Sequence, residues 1–422
     1  MVRKRLIIFL SVFLGIALVA YFLVKLASGY RPDFSTKTMR PTGLLVATST
    51  PNQASILVNG KILKAKTATT LSLSPGEYNI EIKKDGFSSW KKKILIEKEL
   101  VAKTDAYLFP TYPDLKALTS ASASNPVISP DGKKIVFAVA DQDEKNGLWV
   151  LDLPERPLGL TREPRQVLQS APKGRDFAKA NYQWTPDSKQ ILVTLVKSAT
   201  KTKVIEENFL IDANNLNQAT NLIDVTDQLP AIKKEWENEE KILQEAKLGK
   251  LPEELLGILG KSAKDIFFSP DETKILYTAT ASATIPKELI PPLPGASNQT
   301  ESRDINPRKI YIYDLKEDRN FYIMSEQESK RVKEQEKKEE KISTLPLSSS
   351  PALSWFPTSK HIFLVQKDKI SIIEYDGTNK VDVYSGPFEN SFAFPFPSGN
   401  KILVLTSLSK ETPVNLYSIS LK

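Results

Sequence analysis

The sequence predicts an all-β protein that carries one apolar helix at its N-terminus. Three observations predict this class: an uncharged run of 19 residues near the N-terminus, short segments in which apolar and polar residues alternate, and a ten-residue phrase present in five related copies. Alternation with a period of two is typical of strands that bury one face. With 422 residues, 41% of them hydrophobic, the chain is long enough for two or three domains or one array of repeats.

The composition excludes several kinds of chemistry. The chain contains no cysteine, so we expect no disulfide, no cysteine nucleophile and no zinc finger. Its net charge of +8 is spread along the sequence, with no arginine-rich tract and no block of aromatic residues alternating with basic ones. Since nucleic-acid binding requires a concentrated basic face, we expect no nucleic-acid partner.

The N-terminus has the pattern of a membrane-spanning helix. Three basic residues precede an apolar run at 6–24 that contains no charge, and Lys25 closes it. About 20 apolar residues span a bilayer as a helix, whereas the apolar part of a cleaved signal peptide usually has about 7–15. We therefore expect a cytoplasmic tail at 1–5 and an uncleaved transmembrane signal-anchor at 6–25; cleavage after 27–29 is the alternative.

Positive charges that flank a helix set its orientation, because they favour the cytoplasmic side of the membrane. Arg3, Lys4 and Arg5 are therefore expected to stay inside, which places everything after the helix outside. Residues 26–42 contain one glycine and two prolines and are expected to form a short stalk. The sequence thus predicts a single-pass protein of the cell membrane, with the bulk of the chain extracytoplasmic.

Residues 43–109 have the pattern of a compact antiparallel β-sandwich of about six short strands. In GEYNIEIKK, at 76–84, three apolar side chains alternate with polar ones, as in a strand with one wet face. Asn-Gly at 59–60 suits a tight hairpin because both residues tolerate positive φ, and Asp-Gly at 85–86 repeats the device. Trp90 is expected to anchor the core of this domain.

These segments resemble the PEGA domain, a small β module of prokaryotic envelope proteins. The matching stretches are STPNQASILVNG, LSPGEYNIEIKKDGF and KKKILIEK. The namesake motif departs from the family pattern, because Asn52 and Gln53 stand where Glu and Gly are typical. The resemblance implies an extracytoplasmic scaffold or adhesion role, without known catalysis.

The repeated phrase is the strongest signal in the sequence. Its five copies are ISPDGKKIVF, WTPDSKQILV, FSPDETKILY, WFPTSKHIFL and PFPSGNKILVL, with prolines at Pro130, Pro186, Pro270, Pro357 and Pro397. Each copy runs from an apolar residue through a proline turn into a run of apolar residues, and a second strand follows it. Such strand groups are typical of a β-propeller, whose blades are four-stranded sheets packed around an axis.

The phrase resembles the PD40 or TolB-type WD40-like repeat, which implies a propeller over 110–422 and protein–protein contact in the envelope. Five copies predict five blades, or six if one copy is eroded. The last copy is followed by only one further hairpin strand, which leaves its blade short of an outer strand. The segment YPDLKALTS at 112–120 is predicted to supply that strand and close the ring, because closure removes open sheet edges.

Three long insertions separate the repeats. Residues 229–262 have apolar positions on one helical face and a second helix start with a proline and two acids, so they predict a helical hairpin. Residues 280–308 are Pro-rich and predict an extended loop. Residues 326–342 carry mixed charges and are predicted to be a solvated spacer, helical or disordered.

No segment carries a recognisable catalytic or cofactor motif. His361, the only histidine, is not accompanied by a Gly-x-Ser-x-Gly elbow. The segment DQDEKNG at 141–147 has the oxygen ligands of a calcium loop without the EF-hand spacing, so a polar hairpin tip is predicted. Asp131 of the first phrase gives way to Thr358 and Ser398, which a structural corner tolerates. We predict no catalytic residue, no cofactor and no metal site.

Three classes of function fit these features. The leading hypothesis is a membrane-anchored extracytoplasmic binding or scaffold protein of a prokaryotic envelope, which engages a protein or glycan through the propeller face and the insertions. The alternative is an envelope glycan-acting hydrolase or lyase that uses carboxylates in the propeller channel. A third possibility is a structural surface-layer component. The sequence assigns no partner-binding residue.

Overall fold

The computed structural model describes residues 2–27, 30–33, 38–140, 145–155, 162–170, 175–199, 204–291, 293, 299–329, 352–389, 392–409 and 411–422. The chain divides into two compact units. The first comprises Met1–Phe109 and Pro291–Thr300, and the second comprises Pro110–Ile290 and Glu301–Lys422.

The apolar helix predicted at the N-terminus is confirmed. Helix α1 (Val2–Ala27) has 26 residues. Its segment Ile7–Leu26 has a mean hydropathy of 2.8 and no part buried in protein, and it is long and apolar enough to cross a membrane. The span itself and the retention of this helix stay predictions.

Short strands make up the rest of the first unit. They are β1 (Arg31–Asp33), β2 (Thr38–Arg40), β3 (Gly43–Ala47), β4 (Ser49–Thr50), β5 (Ser55–Val58), β6 (Lys61–Lys66), β7 (Thr69–Leu73), β8 (Gly76–Lys83), β9 (Trp90–Ile96), β10 (Val101–Lys103) and β11 (Ala106–Tyr107). After the β1-β2 hairpin, they form sheets of order β6-β5-β8-β9, β10-β3-β7 and β11-β4.

The core of this unit lies between its two larger sheets. Leu45 of β3 belongs to the same buried cluster as Ile82 of β8 and Trp90 of β9, and Trp90 is only 3% exposed. The predicted Asn-Gly hairpin is present, since Asn59 and Gly60 have φ of 49° and 80°. The β-sandwich and the burial of Trp90 in its core therefore agree with the prediction from the sequence.

Two strand pairs differ from the predicted antiparallel arrangement. Strand β10 pairs with β3 in parallel, with Val101 opposite Leu44, and β11 pairs with β4 in the same sense. Parallel neighbours need a long crossover rather than a tight turn. Periodicity and turn residues mark only local hairpins, so these parallel pairs could not be predicted from the sequence.

The second unit begins with a lone strand and continues with repeated sheets. Strand β12 (Leu115–Ala117) comes first. The first blade consists of β13 (Ser124–Ile128), β14 (Lys134–Val139), β15 (Gly147–Asp152) and β16 (Arg165–Gln169), and the second of β17 (Asn181–Trp184), β18 (Gln190–Ala199) and β19 (Val204–Asp212). Both are antiparallel, with neighbours in sequence order.

Two helices and the remaining blades follow. The helices are α2 (Leu229–Leu248) and α3 (Glu253–Ser262). The third blade has β20 (Ala263–Phe268), β21 (Lys274–Ala279), β24 (Lys309–Asp314) and β25 (Arg319–Ser325), with the pair β22 (Ala283–Thr284) and β23 (Asp304–Ile305) inserted. The fourth has β26 (Leu353–Trp355), β27 (His361–Val365), β28 (Lys369–Glu374) and β29 (Val381–Ser385). The fifth has β30 (Ala393–Pro395), β31 (Lys401–Thr406) and β32 (Asn415–Ser420).

The predicted propeller architecture is confirmed by these sheets. The described residues form five repeated sheets, one for each copy of the phrase, and each copy is the turn between the first two strands of its blade. The choice between five and six blades in the complete chain stays a prediction.

The closing strand lies where the sequence predicts it. Strand β12 joins the fifth blade beside β32, in the order β12-β32-β31-β30, with Ala117 opposite Tyr417. The amide of Leu118 donates to the carbonyl of Leu416 at 2.8 Å, and the Thr119 hydroxyl donates to Asn415 Oδ1 at 2.8 Å. A strand from the start of the unit thus completes its last blade.

Apolar clusters join neighbouring blades. They connect the first blade to the second, the fifth to the first and the third to the fourth, with members such as Val136 and Ile191, Phe137 and Leu403, and Ile312 and Ile362. All six of these side chains are at most 1% exposed. Because each sheet has apolar residues on both faces, it can be buried only by packing between neighbours.

The predicted helical insertion is confirmed, and it covers one face of the third blade. Leu255 and Leu259 of α3 are fully buried against Ile275 and Tyr277 of β21. In contrast, α2 has no buried residue along its 20 positions. The charged segment predicted at 326–342 lies outside the described residues from 330 onwards.

Candidate binding site

The proline turn of the repeated phrase, which joins the first two strands of each blade and is called the corner below, has one backbone feature in all five copies. The residue that follows the Asp, Thr or Ser of the phrase has a left-handed φ: 68° at Gly132, 59° at Ser188, 56° at Glu272, 59° at Ser359 and 66° at Gly399. Glycine adopts this region without steric cost, which explains its presence in the first and last copies.

Carboxylates of the corner are bonded inside the turn. The Ser129 hydroxyl donates to Asp131 Oδ1 at 2.6 Å, and the amide of Lys133 donates to the same oxygen at 3.0 Å. In the second copy, the hydroxyl of Thr185 donates to Asp187 and lowers the pKa of that carboxyl below its ordinary value. These acids hold a turn together, in agreement with the interpretation of the phrase as a corner.

The corners also connect neighbouring blades through hydrogen bonds. The amide of the corner aspartate donates to the left-handed serine of the next blade, from Asp131 to Ser188 Oγ and from Asp271 to Ser359 Oγ, each at 3.1 Å. Indole N–H groups donate back, from Trp184 to the Val127 carbonyl at 2.9 Å and from Trp355 to the Phe267 carbonyl at 3.0 Å. The polar groups of the repeated phrase therefore bond neighbouring blades to each other.

His361 lies in the core of the fourth blade. It is 3% exposed, its Nδ1 lies 2.9 Å from the Thr358 hydroxyl, and its ring meets Phe356 edge-on. A buried imidazole bonded to a corner hydroxyl has the environment of a packing residue. Of the polar tip predicted at 141–147, positions 141–144 lie outside the described residues.

A cavity of about 450 Å³ lies between the fifth and first blades. One wall is the chain from Ala117 to Ala121, and the other includes Phe137, Val139 and Trp149. Side chains at 117, 119, 120 and 121 are alanine, threonine or serine, so they do not fill the space beside the aromatic residues. The volume falls within the range of about 300–1,000 Å³ that is common for ligand pockets.

Trp149 is the half-buried aromatic residue of this pocket, and two charged residues also line it. Its indole N–H donates to the main-chain carbonyl of Lys145 at 2.8 Å. The exposed side chains of Lys145 and Glu163 form no ion pair with another described residue. The pocket thus combines an aromatic wall with small polar side chains and one charge of each sign.

Helix α2 is a second exposed feature of the unit. Ile242 and Leu243 are 65% and 56% exposed. At its C-terminal end, Lys247 and the following Lys250 form ion pairs with Glu272 of the third corner, at 3.2 and 3.0 Å. These hydrogen-bonded lysines lower the pKa of Glu272. The helix is therefore attached to the blade at one end and exposed along its length.

Sequence reasoning did not find the pocket. One of its walls, at 117–121, follows a strand whose partner β32 lies about 300 positions away, and the other wall belongs to the first blade. The available signal was the run of small residues at 117 and 119–121 in a segment already expected to close the ring. That run shows a missing volume only when the facing residues of the first blade are known.

Comparison with solved structures gives only distant likenesses. A protein assigned as TolB from Agrobacterium tumefaciens is 12% identical, with 73% of this chain and 77% of that chain covered and a TM-score of 0.19. TolB from Acinetobacter baumannii is 14% identical, covering 87% and 63%, with a TM-score of 0.20. Kuenenia stuttgartiensis hydrazine synthase is 12% identical, covering 90% and 96%, with a TM-score of 0.17. At these TM-scores none carries an argument, and the propeller rests on the sheets of this chain.

Sequence comparisons identify one part of the chain. No curated protein matches it. The model of the PEGA domain matches residues 42–111, which contain the β-sandwich of the first unit. The resemblance seen at 43–109 is thereby confirmed, and this segment of the chain is a PEGA domain.

Proposed function

We propose that the protein is a membrane-anchored extracytoplasmic binding or scaffold protein of a prokaryotic cell envelope. It engages a protein or a glycan through the propeller face and the insertions. The observation that carries this proposal is the PEGA match at 42–111, which stands between an apolar helix long enough to span a membrane and a unit of repeated blades. Along the chain, the PEGA domain lies between the apolar helix and the propeller.

The charge pattern supports one orientation. The tail at 1–5 holds three basic residues and stays in the cytoplasm, and the helix at 6–25 spans the membrane. The stalk at 26–42, the PEGA domain at 43–109 and the propeller at 110–422 then lie outside. In this arrangement the protein is single-pass, and the exposed helix α2 lies outside with the rest of the propeller.

The placement of polar groups favours binding over catalysis. The Asp, Ser and Thr side chains that recur in the blades are bonded within corners and between blades. The features that do not recur are the pocket beside Trp149 and the exposed helix α2. Elements that vary on a repeated scaffold are the usual carriers of recognition.

Crosslinking in the native envelope tests this function. The full-length chain is crosslinked in intact cells and captured, and its partners are identified by mass spectrometry; the chain with the exposed pair Ile242→Ser and Leu243→Ser on α2 serves as a matched comparison. We expect one or a few envelope proteins or a glycan to be recovered reproducibly, with the α2 variant changing their yield. In parallel, the purified chain is incubated with a polysaccharide panel. Turnover of a polysaccharide, together with no recovered partner, would sink the binding function.

A further inference from the structure

Strand β12 leaves one edge of the fifth blade open. Among the described residues it pairs only with β32. The bonds from Leu118 N to Leu416 O at 2.8 Å and from Ser420 N to Asp114 O at 2.9 Å set the register of this pair. In an antiparallel ladder the alternate residues face the other way. Leu115 and Ala117 therefore direct their main-chain N–H and C=O groups away from β32.

Loop residues cover the outer strands of three other blades. The main-chain bonds run from Asn217 N to Val167 O at 2.8 Å, from Val225 N to Asn208 O at 2.8 Å and from Ser302 N to Asn320 O at 2.6 Å. Proteins usually protect sheet edges in this way, because an open edge is a template for another strand. Among the described residues no loop covers the edge of β12, and of the other outer strands only β29 of the fourth blade is likewise uncovered.

The open edge lies beside the pocket of Trp149. Ala117 belongs to both, and beside the small side chains of 119–121 the half-buried ring of Trp149 remains accessible, whereas Phe137 forms the buried floor of the pocket. We propose that an extended peptide of a partner protein adds a further strand to β12 and places one apolar side chain in this pocket. Main-chain bonds then supply affinity, and the pocket supplies specificity.

The polar groups of the site favour a peptide over a sugar. The hydroxyl of Thr119 is already used twice, as a donor to Asn415 Oδ1 at 2.8 Å and as an acceptor from the amide of Leu416 at 3.0 Å. The indole N–H of Trp149 is also bonded. The Thr119 hydroxyl and the Trp149 indole are therefore not left to hold the ring of a sugar, whereas the outward main-chain groups of β12 can bond an added strand.

Charges at the opening define the peptide further. Lys145 and Glu163 both line the pocket, and neither is neutralised by a described residue. A matching segment has an aromatic or branched aliphatic residue with an acidic and a basic residue nearby, so that each meets the opposite charge. Complementary charges of this kind set register and specificity more than affinity.

A peptide selection on the full-length chain tests the site. The chain is inserted into lipid nanodiscs, and heptapeptides are selected from a random phage-displayed library. The selected peptide is synthesised, and its Kd is measured by fluorescence anisotropy. Ala117→Pro removes the outward N–H without breaking a bond to β32, since proline is tolerated at such edge positions. Ser120→Trp fills the pocket from its exposed wall. Tyr112→Ala, at a residue 91% exposed and outside the pocket, is the matched control.

We expect Ala117→Pro and Ser120→Trp each to weaken binding about tenfold or more, the loss that follows when a hydrogen bond is left unmade or a side chain is excluded. Tyr112→Ala should leave Kd unchanged, and all variants should keep the natural unfolding midpoint. A failed selection, or binding unchanged in both variants, overturns the proposal. Loss with Ser120→Trp alone also overturns it, because that result indicates a glycan or another ligand without strand addition.

This proposal rests on the proposed function but can fail separately. The in-cell crosslinking experiment is repeated with Ala117→Pro. If the envelope partner is lost with this variant and kept with Tyr112→Ala, the site is supported. If the partner is kept with both, the binding function stands and the β12 site is wrong.

Discussion

Replacing Ser188 by alanine tests whether the corners hold neighbouring blades together. Ser188, in the second blade, is 3% exposed and accepts the amide hydrogen of Asp131 of the first blade at 3.1 Å. Alanine keeps the Cβ and removes only the hydroxyl. The fourth blade provides an independent repeat, since Ser359 accepts from Asp271 with the same geometry.

The expected loss follows from one hydrogen bond. A net contribution of about 1 kcal/mol is typical, and Asp131 is exposed enough for water to replace part of it. Ser188→Gly loses the same bond but relieves a left-handed φ of 59°, which costs about 1–2 kcal/mol for other residues. The flexibility of glycine in the unfolded chain offsets part of that gain. We therefore expect Ser188→Ala to be the less stable variant by about 1 kcal/mol.

Urea unfolding followed by tryptophan fluorescence measures this order. Trp184 reports on the same junction, because it is buried and its indole donates to the first blade. The double variant Ser188→Ala/Ser359→Ala should lose the sum of the two single losses, since the sites share no partner. The role of these bonds is refuted if Ser188→Ala has the same free energy of unfolding as the natural chain. It is also refuted if Ser188→Gly is less stable than Ser188→Ala.

Three further outcomes follow from burial and charge. Leu416→Ala, in the buried cluster that joins the fifth blade to the first, should lower the free energy of unfolding by about 2–5 kcal/mol. Leu243→Ala, on the exposed helix α2, should change it by less than about 0.5 kcal/mol. Chemical unfolding measures both changes. The pKa of Asp187 is lowered in the folded chain, so this carboxylate stabilises the fold fully above its ordinary pKa of 3.8, and the stabilisation is lost as the pH falls below that value. The free energy of unfolding should therefore differ less between pH 6 and pH 3 in Asp187→Asn than in the natural chain. Glu272→Gln breaks two surface ion pairs and should lower the free energy of unfolding only slightly. A salt titration checks this, because added salt should erase the difference between the variant and the natural chain.

The local parts of the fold could be predicted because each is written in a short stretch of sequence. The alternation at 76–84 and the phrase at 128–137 both specify a turn and a strand within about ten residues. The partner of 112–120 could also be inferred, since a blade lacking an outer strand has an open edge. The pairing of Ala117 with Tyr417 agrees with that inference.

The remaining features depend on distances between distant residues. The parallel pairing of Val101 with Leu44 crosses two intervening hairpins, so no local pattern marks it. The bond from Asp131 to Ser188 joins two corners that are similar in sequence, although one supplies the donor and the other the acceptor. The pocket beside Trp149 arises from a volume that small residues on another strand fail to fill. Such features become visible only when the blades are placed side by side.

Single-cysteine labelling tests directly whether the blades lie outside the cytoplasm on a membrane-anchored chain. Because the natural chain has no cysteine, Tyr112→Cys and Val2→Cys each introduce one reactive site. Cells with an intact cytoplasmic membrane are treated with a membrane-impermeant maleimide, and the chain is recovered from the membrane fraction. We predict that Tyr112→Cys is labelled at once and Val2→Cys only after permeabilisation. The reverse pattern, or recovery of the chain outside the membrane fraction, would contradict the account.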